Sequence, residues 1–271
     1  MKPVEAKEIA KQFLARMAPE ASTRWHEIRH RNHIRRFEQK LGLPELTDSF
    51  ITQHGRSVLS GPFAGMVYVP QATGSALMPK LVGSYEAELH QLIEQIVITG
   101  YDTVIDVGCA EGYYAIGLAL RLPETHVHAF DIDLEAQRLC RAMSHLNGVE
   151  NRVTISGKCG NEDLNALLTK KSLIVCDCEG FEAELLQPDL SSKLNHTDIL
   201  VEFHEHLNIG LTSLLLSRFH DTHHPTVITA VERNANDYPQ IRFTKPESRQ
   251  LAVSEFRVNG QQWAFLKSIV S

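Results

Sequence analysis

The segment IDVGCAEGYY (105–114) pairs a strand-like run with a helix start, and its polar residues sit where a ligand meets such a junction. Gly108 and Gly112 bracket a tight turn, which lets backbone approach a ligand closely, and the free amides of the following helix favour an anionic group. A dinucleotide turn reads G-x-G-x-x-G. Here the spacing from Asp106 is D-x-G-x-x-x-G, with Ala110 between the glycines and Glu111 in the turn. An acid there opposes a pyrophosphate and suits a group that carries an ammonium and a carboxylate. Asp131 ends the next strand-like run, 23 residues after Gly108, where a carboxylate can accept both hydroxyls of a ribose. Its alternative role is a helix cap, but Asp133 is better placed for that. Together the two features imply an adenosine with an amino-acid tail instead of two phosphates. S-adenosyl-L-methionine fits that description.

A second set of reactive side chains follows later strand-like runs. Asp177 and Glu179 end IVCDCE (174–179), and Glu202, His204 and His206 punctuate ILVEFHEH (199–206). These could bring oxygen and nitrogen ligands to one end of a sheet, where a divalent ion such as magnesium polarises a hydroxyl. Neither a His-x-x-x-His nor a paired-Asp signature is present, so a divalent metal is considered but not favoured. Cys176 and Cys178 form only a C-x-C pair, weak as a zinc signal, and buried thiols are the default. His220, His223 and His224 precede Pro225 and read as a surface turn.

The elements that position these residues alternate from about residue 84 onward. Strands are expected at 103–107, 126–131, 153–156, 172–177 and 199–203, with helices near 112–122, 134–147, 180–187 and 209–220. In the 134–147 segment Leu139, Cys140, Met143 and Leu146 share one face, and Gly148 ends it. Two further strands, 226–232 and 262–268, complete about seven. Apolar strands separated by helices imply an α/β, Rossmann-like, doubly wound and mostly parallel sheet covered on both faces. The first 75 residues differ. Helices are expected at 5–18 and 24–40, stopped by Pro19 and by Gly42 with Pro44, and 60–83 is a Gly- and Pro-rich loop. The division expected is an N-terminal extension over 1–75 and a catalytic domain over 76–271.

Composition excludes several classes. With 271 residues, 43% hydrophobic and 22% charged, the chain is an ordinary globular protein and not a disordered one. No apolar run approaches a membrane span, and the start lacks the core of a secretory signal. The net charge of −6 gives no global attraction to nucleic acid or anionic lipid, so a nucleic-acid partner is not expected. Five cysteines, an odd number, suit a reduced cytoplasmic protein better than a disulfide framework. The 24–36 stretch is basic (Arg24, Arg29, Arg31, Arg35 and Arg36), a solvated face or a patch for an anionic partner.

The arrangement resembles the class I S-adenosylmethionine-dependent methyltransferases, and within them the FkbM family. The resemblance lies in D-x-E-G-x-E followed by Leu (Asp177, Glu179, Gly180, Glu182 and Leu186), in the strand carrying Glu202 and His204, and in GSYEAEL (83–89) with Tyr85 and Glu86. It covers about residues 60–205 and leaves out the N-terminal helices; Ala110 departs from the usual central glycine. The resemblance implies that Asp106, Gly108, Glu111 and Gly112 surround the methionine part, with Glu86 near its ammonium. It places Asp131 and Ile132 at the ribose and adenine, Cys159 and Gly160 at the adenine edge, and Asp177 beside the methyl group.

Methyl transfer to a hydroxyl needs a base in reach, and His204 is the first choice, with Asp177 and Glu179 as alternatives. Nitrogen-directed relatives often carry Asn or Asp before Pro-Pro and an aromatic; Asp177-Cys178-Glu179-Gly180 stands here instead, which favours oxygen. The expected acceptor is a hydroxyl on a small molecule, a sugar or glycan, or a natural product. The N-terminal segments would cover the substrate side or make a homo-oligomer contact. The competing readings are a non-catalytic scaffold that keeps the fold, and an RNA methyltransferase using the basic 24–36 helix.

Overall fold

Apolar runs flanked by helix-forming sequence settle into one sheet. The computed structural model describes residues 39–242, 245–257 and 260–270. Its strands are β1 (Thr103–Val107), β2 (His126–Phe130), β3 (Val153–Ser156), β4 (Ser172–Cys176), β5 (Asp198–Phe203), β6 (His223–Thr229) and β7 (Gln262–Ser268). The helices are α1 (Leu43–His54), α2 (Leu77–Val82), α3 (His90–Thr99), α4 (Tyr113–Arg121), α5 (Leu134–Leu146), α6 (Asn161–Leu167), α7 (Glu182–Leu185), α8 (Leu211–Arg218) and α9 (Pro246–Val253). The expected helix over 5–18 and the basic 24–36 stretch lie outside the described residues.

The strand order is β3-β2-β1-β4-β5-β7-β6. The first five strands are mutually parallel, while β7 runs antiparallel to both β5 and β6. Every residue of β1 and β4 is buried, as expected of strands covered on both faces. Ile105, Ile174 and Ile199 pack with Leu185, Leu215 and Phe219 on one side of the sheet. The chain steps from β1 outward through β2 and β3, then returns to place β4 on the other flank of β1. Connections therefore part between the β1 and β4 tips, which opens a crevice at their carboxyl ends.

Several elements differ from the sequence expectation. The helical residues 39–41 end at a turn on Gly42 (φ +71°), as expected, but a further helix, α1, follows at once, with Pro44 in its first turn, where a missing N–H costs nothing. The 60–83 loop closes with helix α2, largely buried. Leu146, assigned to the inner face of α5, is exposed, and Leu139, Cys140 and Met143 carry that packing. Asp133 caps α5 by accepting the Glu135 N–H at 3.0 Å. The sixth strand begins at His223, three residues before the expected start, so His223 is no surface turn. It is buried, with Nε2 2.8 Å from the Thr197 carbonyl oxygen.

The chain falls into two units, one through Ser49 and one from Phe50 onward. The described part of the first unit, 39–49, contains the start of α1. Residues 50–75, grouped by sequence with the extension, belong to the unit that holds the sheet. Ser57 bridges Val67, and the Asn147 side chain bonds both the N–H and the carbonyl of Val67 at 2.8 Å. No described helix is long and apolar enough to cross a membrane.

Candidate active site

The turn after β1 is locked to its neighbours by backbone contacts. The Gly108 and Cys109 N–H groups both donate to the Phe130 carbonyl, at 2.9 and 3.0 Å. Gly108 has φ +86°, and a Cβ there would lie 1.6 Å from the Asp177 carbonyl oxygen, so only glycine fits. Ala110 occupies the left-handed region at φ +48°, at a cost of roughly 1 kcal/mol. Its N–H donates to Asp131 Oδ2 at 2.8 Å, while Asp131 Oδ1 accepts from the Asp133 N–H at 2.8 Å. Asp131 thus ties the turn to the tip of β2. Gly112 starts α4, close against Cys140. Ile132, next along, is a 62% exposed apolar side chain.

Asp106 is the next-to-last residue of β1, and its side chain is buried. One carboxyl oxygen faces the Ala115 N–H, and the other, Oδ2, is buried without a hydrogen-bond partner. Burial, with Asp177 and Asp131 nearby, pushes its pKa up to about 8. A buried acid with an empty acceptor invites a cationic donor, and the ammonium of an amino-acid tail is one.

Glu111 and Glu86 are engaged elsewhere. Glu111, fully buried, pairs with Lys80 and accepts from Tyr68 Oη at 2.5 Å, Thr73 N at 2.9 Å and Thr73 Oγ1 at 3.1 Å. Lys80 and these donors hold its carboxyl below the usual range despite burial. Its role is therefore to anchor the 68–80 segment, which differs from the expected contact with the methionine part. Glu86 sits at φ +47° and is bonded by Tyr114 Oη and by Arg257. A ligand ammonium at Glu86 would have to share it with Arg257. Cys159 is buried beside Val107 and Phe130, its thiol pushed up to about 12 by burial, and acts as packing. Gly160 leads α6, with its N–H donated to Asp163 Oδ2 at 2.8 Å.

Asp177, Glu179 and His204 converge as the β4 and β5 tips approach. His204 Nδ1 lies 2.7 Å from Glu182 Oε1, and its Nε2 lies 3.5 Å from both Asp177 Oδ1 and Glu179 Oε2. Glu202 Oε2 is 4.0 Å from the same nitrogen. Asp177 Oδ1 is buried and unpartnered by hydrogen bonds. Burial lifts the Asp177 pKa to about 6, opposed by His204, and the carboxyls of Asp177 and Glu202 share a hydrogen bond. Burial alone would lower the His204 pKa, but Glu182, Asp177 and Glu179 outweigh it and raise the value. Glu202 is held on its far side by Arg257 Nη1 at 2.5 Å. His206 has its ring 5.9 Å from that of His204. The site thus brings together Asp106, Gly108, Asp131, Asp177, Glu179 and His204.

Sequence reasoning missed Arg257 and Lys80, whose partners lie far away in the chain, and gave Glu182 no role beyond its motif. Arg257 also bonds Glu255, and Arg233 bonds Glu255 and Glu88, extending a buried charge network behind the site. No local pattern marks such pairs. A partner for a buried acid such as Glu86 was the one available hint.

Residues 89–173, which are 85 of the 271, match the family model described as the methyltransferase small domain. Comparison with curated proteins gives no match. Among solved structures the chain is similar to precorrin-6y C5,15-methyltransferase from Geobacter metallireducens GS-15, at TM-score 0.46 and 11% identity over 65% of this chain and 87% of that one. It is also similar to the O-methyltransferase TomG from Streptomyces achromogenes, solved with S-adenosylmethionine, at TM-score 0.43 and 15% identity over 73% and 83%. A third is precorrin 8w decarboxylase of Methanobacterium thermoautotrophicum, at TM-score 0.45 and 19% identity over 68% and 90%. With β4 returning beside β1 and a reversed β7, the chain has the fold of the class I S-adenosylmethionine-dependent methyltransferases.

Proposed function

We propose that this protein is an S-adenosylmethionine-dependent methyltransferase of FkbM type that methylates a hydroxyl oxygen on a small molecule, a sugar or a natural product. The observation that carries this reading is Asp106: a buried carboxyl with an unpartnered oxygen, beside a turn packed at Gly108 against the Asp177 backbone and linked to Asp131. In this reading Asp106 receives the ammonium, the 108–112 turn lies along the methionine part, Asp131 accepts the ribose hydroxyls and Ile132 covers the adenine. The bound cofactor supplies an electrophilic methyl on a sulfonium.

The chain's own work is then to hold the acceptor oxygen in line and to take its proton. With no further component, His204 is the base. Glu182 holds Nδ1 and so directs Nε2 toward the crevice, while Asp177 and Glu179 stabilise the imidazolium that forms. The test is calorimetric titration of the full chain with S-adenosylmethionine and with S-adenosylhomocysteine. Saturable binding of both, lost in Asp106→Ala, is expected; no heat from either compound overturns the assignment.

A further inference from the structure

We propose that Asp177, Glu179 and His204 form a binding site for one divalent cation of the manganese or magnesium type, its open face directed at the acceptor oxygen. What the ion does rests on the methyltransferase reading; whether it binds does not.

Three observations support the site. First, one donor atom from each of the three residues lies within 4.8 Å of the others, with His204 Nε2 3.5 Å from each carboxylate. Donors at about 2.1 Å from a common ion are separated by roughly 3–4 Å, so little movement is needed to close the set. Second, Asp177 Oδ1 is buried beside the imidazole and accepts no hydrogen bond. Third, the His204 ring is oriented as a ligand. Its Nδ1 faces Glu182 Oε1, an atom of a fully buried side chain that also accepts the Gly180 N–H at 3.1 Å. A carboxylate on one imidazole nitrogen leaves the other as the metal-facing lone pair, the usual outer-shell arrangement of a ligating histidine.

Charge agrees with geometry. Asp177, Glu179, Glu182 and Glu202 all approach His204 within 4.0 Å, while Arg257 is spent on Glu86, Glu202 and Glu255. A hard cation with two carboxylates and one imidazole keeps several positions for water or a hydroxyl oxygen. Bound there, it would polarise that hydroxyl, and the part played by His204 would change from base to ligand. The ligands come from two strand tips at irregular spacing, which explains why no sequence signature marks them.

The probe is Mn2+ alone, titrated into the full chain and followed by calorimetry and electron paramagnetic resonance. One site per chain is expected, with nitrogen coupling that disappears in His204→Ala. Glu179→Gln, at a side chain 75% exposed and free of core packing, should weaken binding at least about tenfold without unfolding the protein. Glu247→Gln, an acid of the first turn of α9, serves as the control and should leave binding unchanged. No saturable binding, or equal binding by Glu179→Gln and the parent, overturns the site. S-adenosylmethionine binding is measured separately with chelator present. Cofactor binding without Mn2+ binding removes the metal site alone, and the reverse removes the methyltransferase reading alone.

Discussion

The carbonyl oxygen of Asp177 lies 1.6 Å from the position that a Cβ on Gly108 would take. The tips of β1 and β4 therefore touch backbone to backbone, which brings the cofactor turn and the proton-handling cluster into one crevice. Gly108→Ala has to overcome both a left-handed φ and this collision. A loss of at least about 2 kcal/mol in denaturant unfolding is expected, together with loss of S-adenosylmethionine binding. Unchanged stability would show that the two tips are not held in this contact.

Asp106 predicts a proton release on cofactor binding. Its pKa of about 8 lies above the ordinary aspartate value, so the ligand-free folded state keeps the proton through neutral pH. For this group the sign is that folded stability declines as pH rises from the usual carboxylate range through about 8. An ammonium placed on Oδ2 favours the ionised form, so binding near pH 7 should expel up to about one proton. Calorimetry in buffers of different ionisation enthalpy measures the number directly. Asp106→Asn should bring it near zero; an unaltered release would assign the proton to another group.

The inner sheet was legible in sequence because β1, β4 and β5 are nearly continuous apolar runs, which mark strands covered on both faces. The glycine turn and Asp131 were legible for the same local reason: each lies just past the last apolar residue of a strand. What could not be read was pairing across the chain. Glu111 carries nothing in its neighbourhood to announce Lys80, 31 residues earlier, and Glu86 and Arg257 are 171 residues apart. The early start of β6 was hidden by Pro225, which reads as a turn but is tolerated because β6 lies at the sheet edge.

The Lys80–Glu111 pair is buried on both sides, so removing one partner leaves a charge in a low-dielectric place. Lys80→Ala should cost about 3–5 kcal/mol at neutral pH. The sign with pH follows from Glu111, whose folded carboxyl is held low. The pair's contribution is full above the ordinary glutamate range and fades as pH falls through the lowered value. The gap in unfolding free energy between parent and variant should therefore narrow in acid. A gap that is constant with pH would mean that Lys80 acts through packing alone.

His204 separates binding from chemistry. It lies with the Asp177–Glu179 cluster, whereas the proposed cofactor contacts are Asp106, the 108–112 turn and Asp131. Whether Nε2 takes the acceptor proton or ligates a cation, His204→Ala removes the group that makes the acceptor oxygen reactive. Turnover should fall about 100- to 10,000-fold, with cofactor affinity changed less than about threefold. Glu182→Gln keeps a carbonyl acceptor for Nδ1 but removes the charge behind it, so a smaller loss in turnover is expected with the fold intact. If His204→Ala instead lost cofactor binding and kept its rate at saturation, the imidazole would belong to the cofactor side of the crevice, and the proton would have to leave by way of Asp177 or Glu179.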